Sequence, residues 1–224
     1  MIRLCVFDMD GLLLDSERQM YVKCGLETSR ELGRAFDEHF LTTLMGGSWD
    51  NYEIKVLEEY GADYPMEQFW ELYWKKVRYI VDNVAIPLRP GVKEILDFCK
   101  EEGISMAIAS SSFLEVVKKC LTNAGIINYF DKIVSVEDVE KTKPDPEIFL
   151  KTIRAFNVDK KEALIFEDAH NGAQAAINGG CRYVVVPDLA ILSEEDMKKA
   201  DLVTDDISNA IRLIKEENER TSGI

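Results

Sequence analysis

The sequence predicts an α/β fold: a parallel sheet with helices on both faces, and a helical lobe inserted after the first strand. Three observations predict it. From about residue 87 onward, short apolar runs alternate with amphipathic stretches of helical period. One further apolar run, residues 2–7, stands far ahead of the others at the N-terminus. Between the two, residues 16–85 contain no convincing strand.

Residues 2–7 (IRLCVF) read as a buried strand, because the run is apolar without alternation and stops at acidic residues and Gly11. The helical segment that follows holds all three tryptophans, Trp49, Trp70 and Trp74, with Tyr52, Tyr60, Phe69, Tyr73 and Tyr79. That is enough aromatic material for a small core of its own. It leaves and rejoins the sheet through two short segments, near 13–16 and 84–90, so it is able to pivot as a lid. The alternation then runs in order: a helix over 91–102, a strand over 104–109, a helix over about 113–124, a strand over 131–135 and a helix over 146–156 opened by Pro-Asp-Pro. A strand over 163–166, a helix over 171–178 and a strand over 181–186 follow. A helical segment over 206–219 ends in a solvated tail. The expected units are therefore residues 1–15 with 86–224 as the α/β core, and 16–85 as the helical insert.

With 224 residues, 46% hydrophobic and 30% charged, the chain is ordinary globular material. Its five cysteines are odd in number and widely spaced, with no CxxC pair, so they read as buried reduced thiols. The formal net charge of -14 argues against nucleic acid or an anionic membrane as partner, since both require a basic surface. Acidic residues interrupt the N-terminal apolar run by position 8, and no run reaches the length of a membrane span, so the expected location is the cytoplasm.

Four elements carry chemistry. Asp8 and Asp10 stand at i and i+2 just past the first strand, which sends both carboxylates to one side, and Gly11 lets the backbone turn close to them. Alone, this pattern is equally a strand-to-loop turn. Ser110, with Ser111 behind it, follows the strand over 104–109 and opens a helix; it can cap that helix and still offer donors to an anion. Lys143 is held between a strand and a helix by Pro144 and Pro146, with Lys141 as a substitute. Glu167 and Asp168 end the strand over 163–166 as adjacent carboxylates, a conflict that a hard divalent cation resolves.

In this order FDMDG, SMAIASSS, KPDPEIF and FEDAHNG resemble the four motifs of the haloacid dehalogenase superfamily. The resemblance covers roughly 1–15 and 87–205, and the insert is similar to the cap of that superfamily's β-phosphoglucomutase and small-phosphatase branch. It implies a Rossmann-like core, with Asp8 as the nucleophile that forms an aspartyl phosphate and Asp10 as the general acid and base. It implies magnesium held by Asp8, by the backbone carbonyl of Asp10 and by Asp168, with Glu167 acting through water. It implies that Ser110, Ser111 and Lys143 hold the phosphoryl group and that the partner is a small phosphorylated substrate; the expected state of the chain is a monomer.

Within the branch the expectation is hydrolysis of phosphate monoesters of small metabolites. β-Phosphoglucomutases bind a second phosphate through a histidine, an arginine and a lysine; by eye this chain places Met20, Trp49 and Phe113 there. Sugar phosphomutase chemistry is the alternative, and a non-enzymatic phospho-receiver domain is the distant one, disfavoured by an acidic pair at position 8 followed by a helical insert. Gly46, Gly47, Ser48 and Trp49 are the candidate loop for substrate discrimination, or simply a turn between two helices. His170 either touches the site or opens the next helix.

Overall fold

The computed structural model describes residues 1–44 and 49–222. Strand β1 (Leu4–Phe7) is followed by a π-helical turn, Glu17–Val22, and by helices α1 (Lys23–Glu31), α2 (Glu38–Thr42), α3 (Trp49–Tyr60) and α4 (Met66–Asn83). Helices and strands then alternate: α5 (Val92–Glu101), β2 (Ser105–Ala109), α6 (Leu114–Asn123), β3 (Lys132–Val134), α7 (Glu147–Ala155), β4 (Ala163–Glu167), α8 (His170–Gly179) and β5 (Arg182–Val185). The chain closes through α9 (Glu194–Lys199), β6 (Leu202–Val203) and α10 (Ala210–Ser222). The sheet is parallel throughout, in the order β3-β2-β1-β4-β5-β6.

Apolar runs without alternation have a direct cause in this sheet. Side chains of β1 point alternately to opposite faces, and both faces are covered: Cys5 and Phe7 join one apolar cluster, Leu4 and Val6 the other. The same division places Leu164 and Phe166 of β4 on the first face and Ala163 and Ile165 on the second. Phe7 and Phe166 stack at 4.7 Å between ring centroids, which ties the two central strands together. Strand order reverses about β1, whose neighbours are β2 and β4. The crevice at the carboxyl ends of β1 and β4 is thus the topological switch point where open α/β sheets bind ligands.

The helical segment before α5 departs from expectation in two ways. Its aromatic core does not stand alone: Tyr52, Phe69 and Tyr73 belong to the same apolar cluster as Phe7 and Ile95. Phe36 and Tyr64 join the cluster, while Tyr79 is 65% exposed and Trp74 40% exposed, because both lie on the outward face of α4. The two linking segments are hydrogen-bonded to each other, Asp15 N–H donating to Pro87 O and Arg89 N–H to Leu13 O. Neither α9 nor β6 was expected from the apolar pattern. The helix α9 starts on a capping box, Ser193 with Asp196, and β6 is too short to show a pattern. No described helix is long and apolar enough to cross a membrane. All five cysteines are free, four of them buried and Cys181 half-buried.

Candidate active site

Register brings the motif residues together. Phe7 pairs with Ile108 on one side and Phe166 on the other, so Asp8 leaves β1 level with Ala109, the last residue of β2, and Glu167, the last of β4. The Asp8 N–H donates to Phe166 O, the last ladder contact before the chain turns. Asp8, Glu167 and Asp168 are all buried and offer oxygens within 4.8 Å of one another.

Lys143 enters from the segment between β3 and α7. Its ammonium donates to Asp8 Oδ1 at 2.6 Å, to Glu167 Oε1 at 2.5 Å and to Ala109 O at 3.0 Å, using all three of its protons. Burial works against the charge, but Asp8 and Glu167 outweigh it and hold the lysine above its ordinary pKa. Lys141 is exposed and lies 3.9 Å from Asp145, so of the two lysines Lys143 alone reaches the acidic group.

Asp10 sits in a different environment. Its carboxylate accepts from Ser16 Oγ and from Ser112 Oγ, each at 2.7 Å, and among the described residues no cation bonds to it. Burial and the Asp8 charge push its pKa up to about 6, against the lowering effect of the two serines. Ser112 is also hydrogen-bonded to the phenol of the half-buried Tyr21. Ser110 is buried and accepts from the Ser112 N–H at 3.0 Å, whereas Ser111 is exposed. Beside Ser112 opens a cleft of about 430 Å³ whose walls include Met20, Trp74, Val77, Phe113 and Val116.

The acidic group has the character of a divalent-cation site. Its donors are all carboxylate oxygens, the set hard cations prefer. Asp168 Oδ2 is buried and has no hydrogen-bond partner among the described residues, an arrangement that is costly unless a cation completes it. Burial, then Glu167 and Asp8, drive the Asp168 pKa well above its ordinary value, and burial with Asp8 raises Glu167 to about 7 despite Lys143. Two glycines make the approach feasible. At Gly11, with φ +78°, a Cβ would lie 2.2 Å from Asp168 Oδ2; at Gly172 it would lie 1.9 Å from Glu167 Cδ.

These shifts carry a stability consequence. Asp10, Glu167 and Glu17 titrate near 6, 7 and 8 in the fold, against 3.8 to 4.5 ordinarily. The folded chain therefore holds more protons than the unfolded one between about pH 5 and 8, and its stability falls as pH rises through that window. Thermal unfolding in chelator is expected to show a lower Tm at pH 8 than at pH 5, with magnesium closing the gap; a higher Tm at pH 8 in chelator contradicts this.

Several polar residues around the site carry no signal in the sequence. Ser112 lies third in a serine run, and which serine faces Asp10 depends on the turn after β2. Ser16 and Glu17 follow the first motif with nothing to distinguish them from a helix start. His170 turns away from the acidic group: its Nδ1 pairs with Asp196 Oδ2 at 2.6 Å. Gly46, Gly47 and Ser48 fall outside the described residues, as does the side chain of Trp49.

Comparison with known proteins places these features in a family. The family model for haloacid dehalogenase-like hydrolases matches residues 5–186, a span that includes all four motifs. Hexitol phosphatase B of Escherichia coli is 30% identical over 188 residues, covering 81% of this chain and 82% of that protein. The phosphorylated carbohydrates phosphatase of Thermotoga maritima is 28% identical over 175 residues, covering 78% and 80%. Among solved structures, β-phosphoglucomutase from Clostridium difficile superposes with a TM-score of 0.70 at 26% identity, covering 99% of this chain and 100% of that one.

Proposed function

The chain belongs to the haloacid dehalogenase-like hydrolases and is a phosphoric monoester hydrolase; from that premise we propose that it hydrolyses phosphate monoesters of small metabolites in two steps through an aspartyl phosphate on Asp8. The single observation that carries this reading is the difference between two aspartates two residues apart. Asp8 is bonded to the Lys143 ammonium at 2.6 Å; Asp10 is cradled by two hydroxyls and holds a proton up to about pH 6. An ionised carboxylate is a nucleophile, and a carboxyl group with a raised pKa is an acid.

In the first step an Asp8 oxygen forms a bond to phosphorus while the bond from phosphorus to the ester oxygen breaks, and Asp10 gives its proton to the departing oxygen. In the second, Asp10 takes a proton from water, the water oxygen bonds to phosphorus, and the Asp8 carboxylate leaves. Lys143 neutralises phosphoryl oxygens throughout, and Ser110 at the start of the loop before α6 orients them. Asp8, Asp168 and the Asp10 carbonyl would hold magnesium, with Glu167 alongside; when bound the ion neutralises charge on the transferring group. The organic part of the substrate fits the cleft beside Ser112. Residues 1–15 with 86–224 serve as the catalytic core and 16–85 as a cap over it.

A phosphate-release screen over sugar, polyol and nucleoside monophosphates with magnesium tests the reading; absence of turnover on every ester, and on an aryl phosphate, contradicts it. Mutase chemistry is disfavoured because two positions where β-phosphoglucomutases carry cations hold the buried Met20 and the exposed Phe113, both apolar; of the cleft's own cations, Lys119 is paired with Asp82 and Glu115, and Arg78 is the other. With β-glucose 1-phosphate and the bisphosphate, no glucose 6-phosphate is expected.

Asp10→Asn is expected to lower turnover of alkyl phosphates by about 10²- to 10⁴-fold, the usual worth of a positioned proton donor. An aryl phosphate, whose leaving group needs no proton, should still phosphorylate Asp8 in this variant and then stall. Equal rates for wild type and variant on an alkyl ester contradict the role.

A further inference from the structure

Glu17 is a buried carboxylate that the two steps above leave unused. It is 7% exposed, and its Oε2 has no hydrogen-bond partner among the described residues. A second unpartnered oxygen, Asp168 Oδ2, lies close by, and Gly11 locates the two relative to each other. The point where a Cβ of residue 11 would stand is 2.2 Å from Asp168 Oδ2 and 3.4 Å from Glu17 Cδ. Two acidic groups thus converge on a backbone position that has no side chain, each with an oxygen left over. Charged neighbours do not resolve the conflict. Arg18 acts on Glu17 only through space, its bonds going to Asp15 and Asp188, and Arg89 also bonds to Asp188.

Resting on the magnesium reading above, we infer that Glu17 is an outer carboxylate of the cation site, which accepts a hydrogen bond from water bound to the ion and so positions that water against Asp168. Glu17 stands outside the group of oxygens that lie within 4.8 Å of one another, which is why its reach requires a water and not a direct bond. Partners of this kind orient the inner ligands and the waters of a metal, and their loss typically weakens binding by about 10- to 100-fold. The π-helical turn at Glu17–Val22 is the backbone feature that carries Glu17 under the motif loop.

Calorimetric titration of the chelator-stripped full chain with magnesium tests this. Glu17→Gln keeps the size and removes the charge; its magnesium affinity is expected to fall about tenfold or more, while its Tm in chelator stays level or rises, since a buried repulsion is gone. Glu17→Asp, which keeps the charge on a shorter arm, should bind with intermediate affinity and serves if the glutamine variant does not fold. Asp168→Asn is the control for the site itself. If Asp168→Asn loses magnesium and both Glu17 variants bind as wild type, the inference is overturned and the site stands; this includes the case in which KM alone rises. If Asp168→Asn also binds as wild type, the magnesium reading fails and this inference with it.

Discussion

Asp8→Asn is expected to reduce turnover by on the order of 10⁴-fold or more, the scale seen when a covalent nucleophile is removed. The amide retains the shape of the carboxylate and loses the charge and the lone pairs that attack phosphorus. The fold should not suffer. Asp8 adds to the repulsion that raises Asp10, Glu167 and Asp168, so removing its charge relieves all three, while Lys143 keeps its contacts to Glu167 and to Ala109 O. Phosphate release and thermal unfolding measured on one preparation separate the two effects. Activity within tenfold of wild type removes Asp8 from the nucleophile's role.

Lys143→Met has the second largest expected effect, and it acts on both activity and stability. The lysine side chain is 6% exposed and is the one cation bonded to Asp8 and Glu167 among the described residues. Without it the transferring phosphoryl group loses a fixed positive charge, which costs roughly 10²- to 10³-fold in kcat by analogy with the loss of an oxyanion donor. In chelator the variant also leaves two buried carboxylates without their partner, a change that costs about 3–5 kcal/mol when one member of a buried pair is removed. Magnesium should return part of that stability and little of the activity, because the ion relieves the carboxylates but does not replace the lysine on the phosphoryl oxygens. Tm with and without magnesium, beside kcat, reads both; full activity with magnesium present would show that Lys143 is only a counter-ion.

Much of the fold was legible because a parallel sheet covered on both faces leaves a plain mark. The runs ending at Phe7, Ala109, Phe166 and Val186 are apolar at every position where two clusters meet, and the acidic and hydroxyl residues directly after three of them fall at one edge of the sheet. Lys143 was legible for a different reason: Pro144 and Pro146, both just after it, left it no helix face to occupy. What the sequence did not show depends on distances between segments remote along the chain. Ser16 and Ser112 meet at Asp10 from positions 96 residues apart, as 112 minus 16, and nothing local marks either of them. The pairing of Glu17 with Asp168 across Gly11 is of the same kind. The single aromatic core, shared by the helical insert and the sheet, was hidden because apolar content reveals burial but not which segment covers which.

The role of Asp8 is tested most directly in the Asp10→Asn enzyme, mixed with magnesium and an aryl phosphate and quenched in acid before digestion and mass analysis. A phosphoryl group on the peptide that carries Asp8, labile to hydroxylamine as an acyl phosphate is, and absent when Asp8 is also changed to asparagine, is the predicted result. An aryl phosphate cleaved by this enzyme with phosphate appearing only in solution, or a phosphoryl group on another residue, contradicts it.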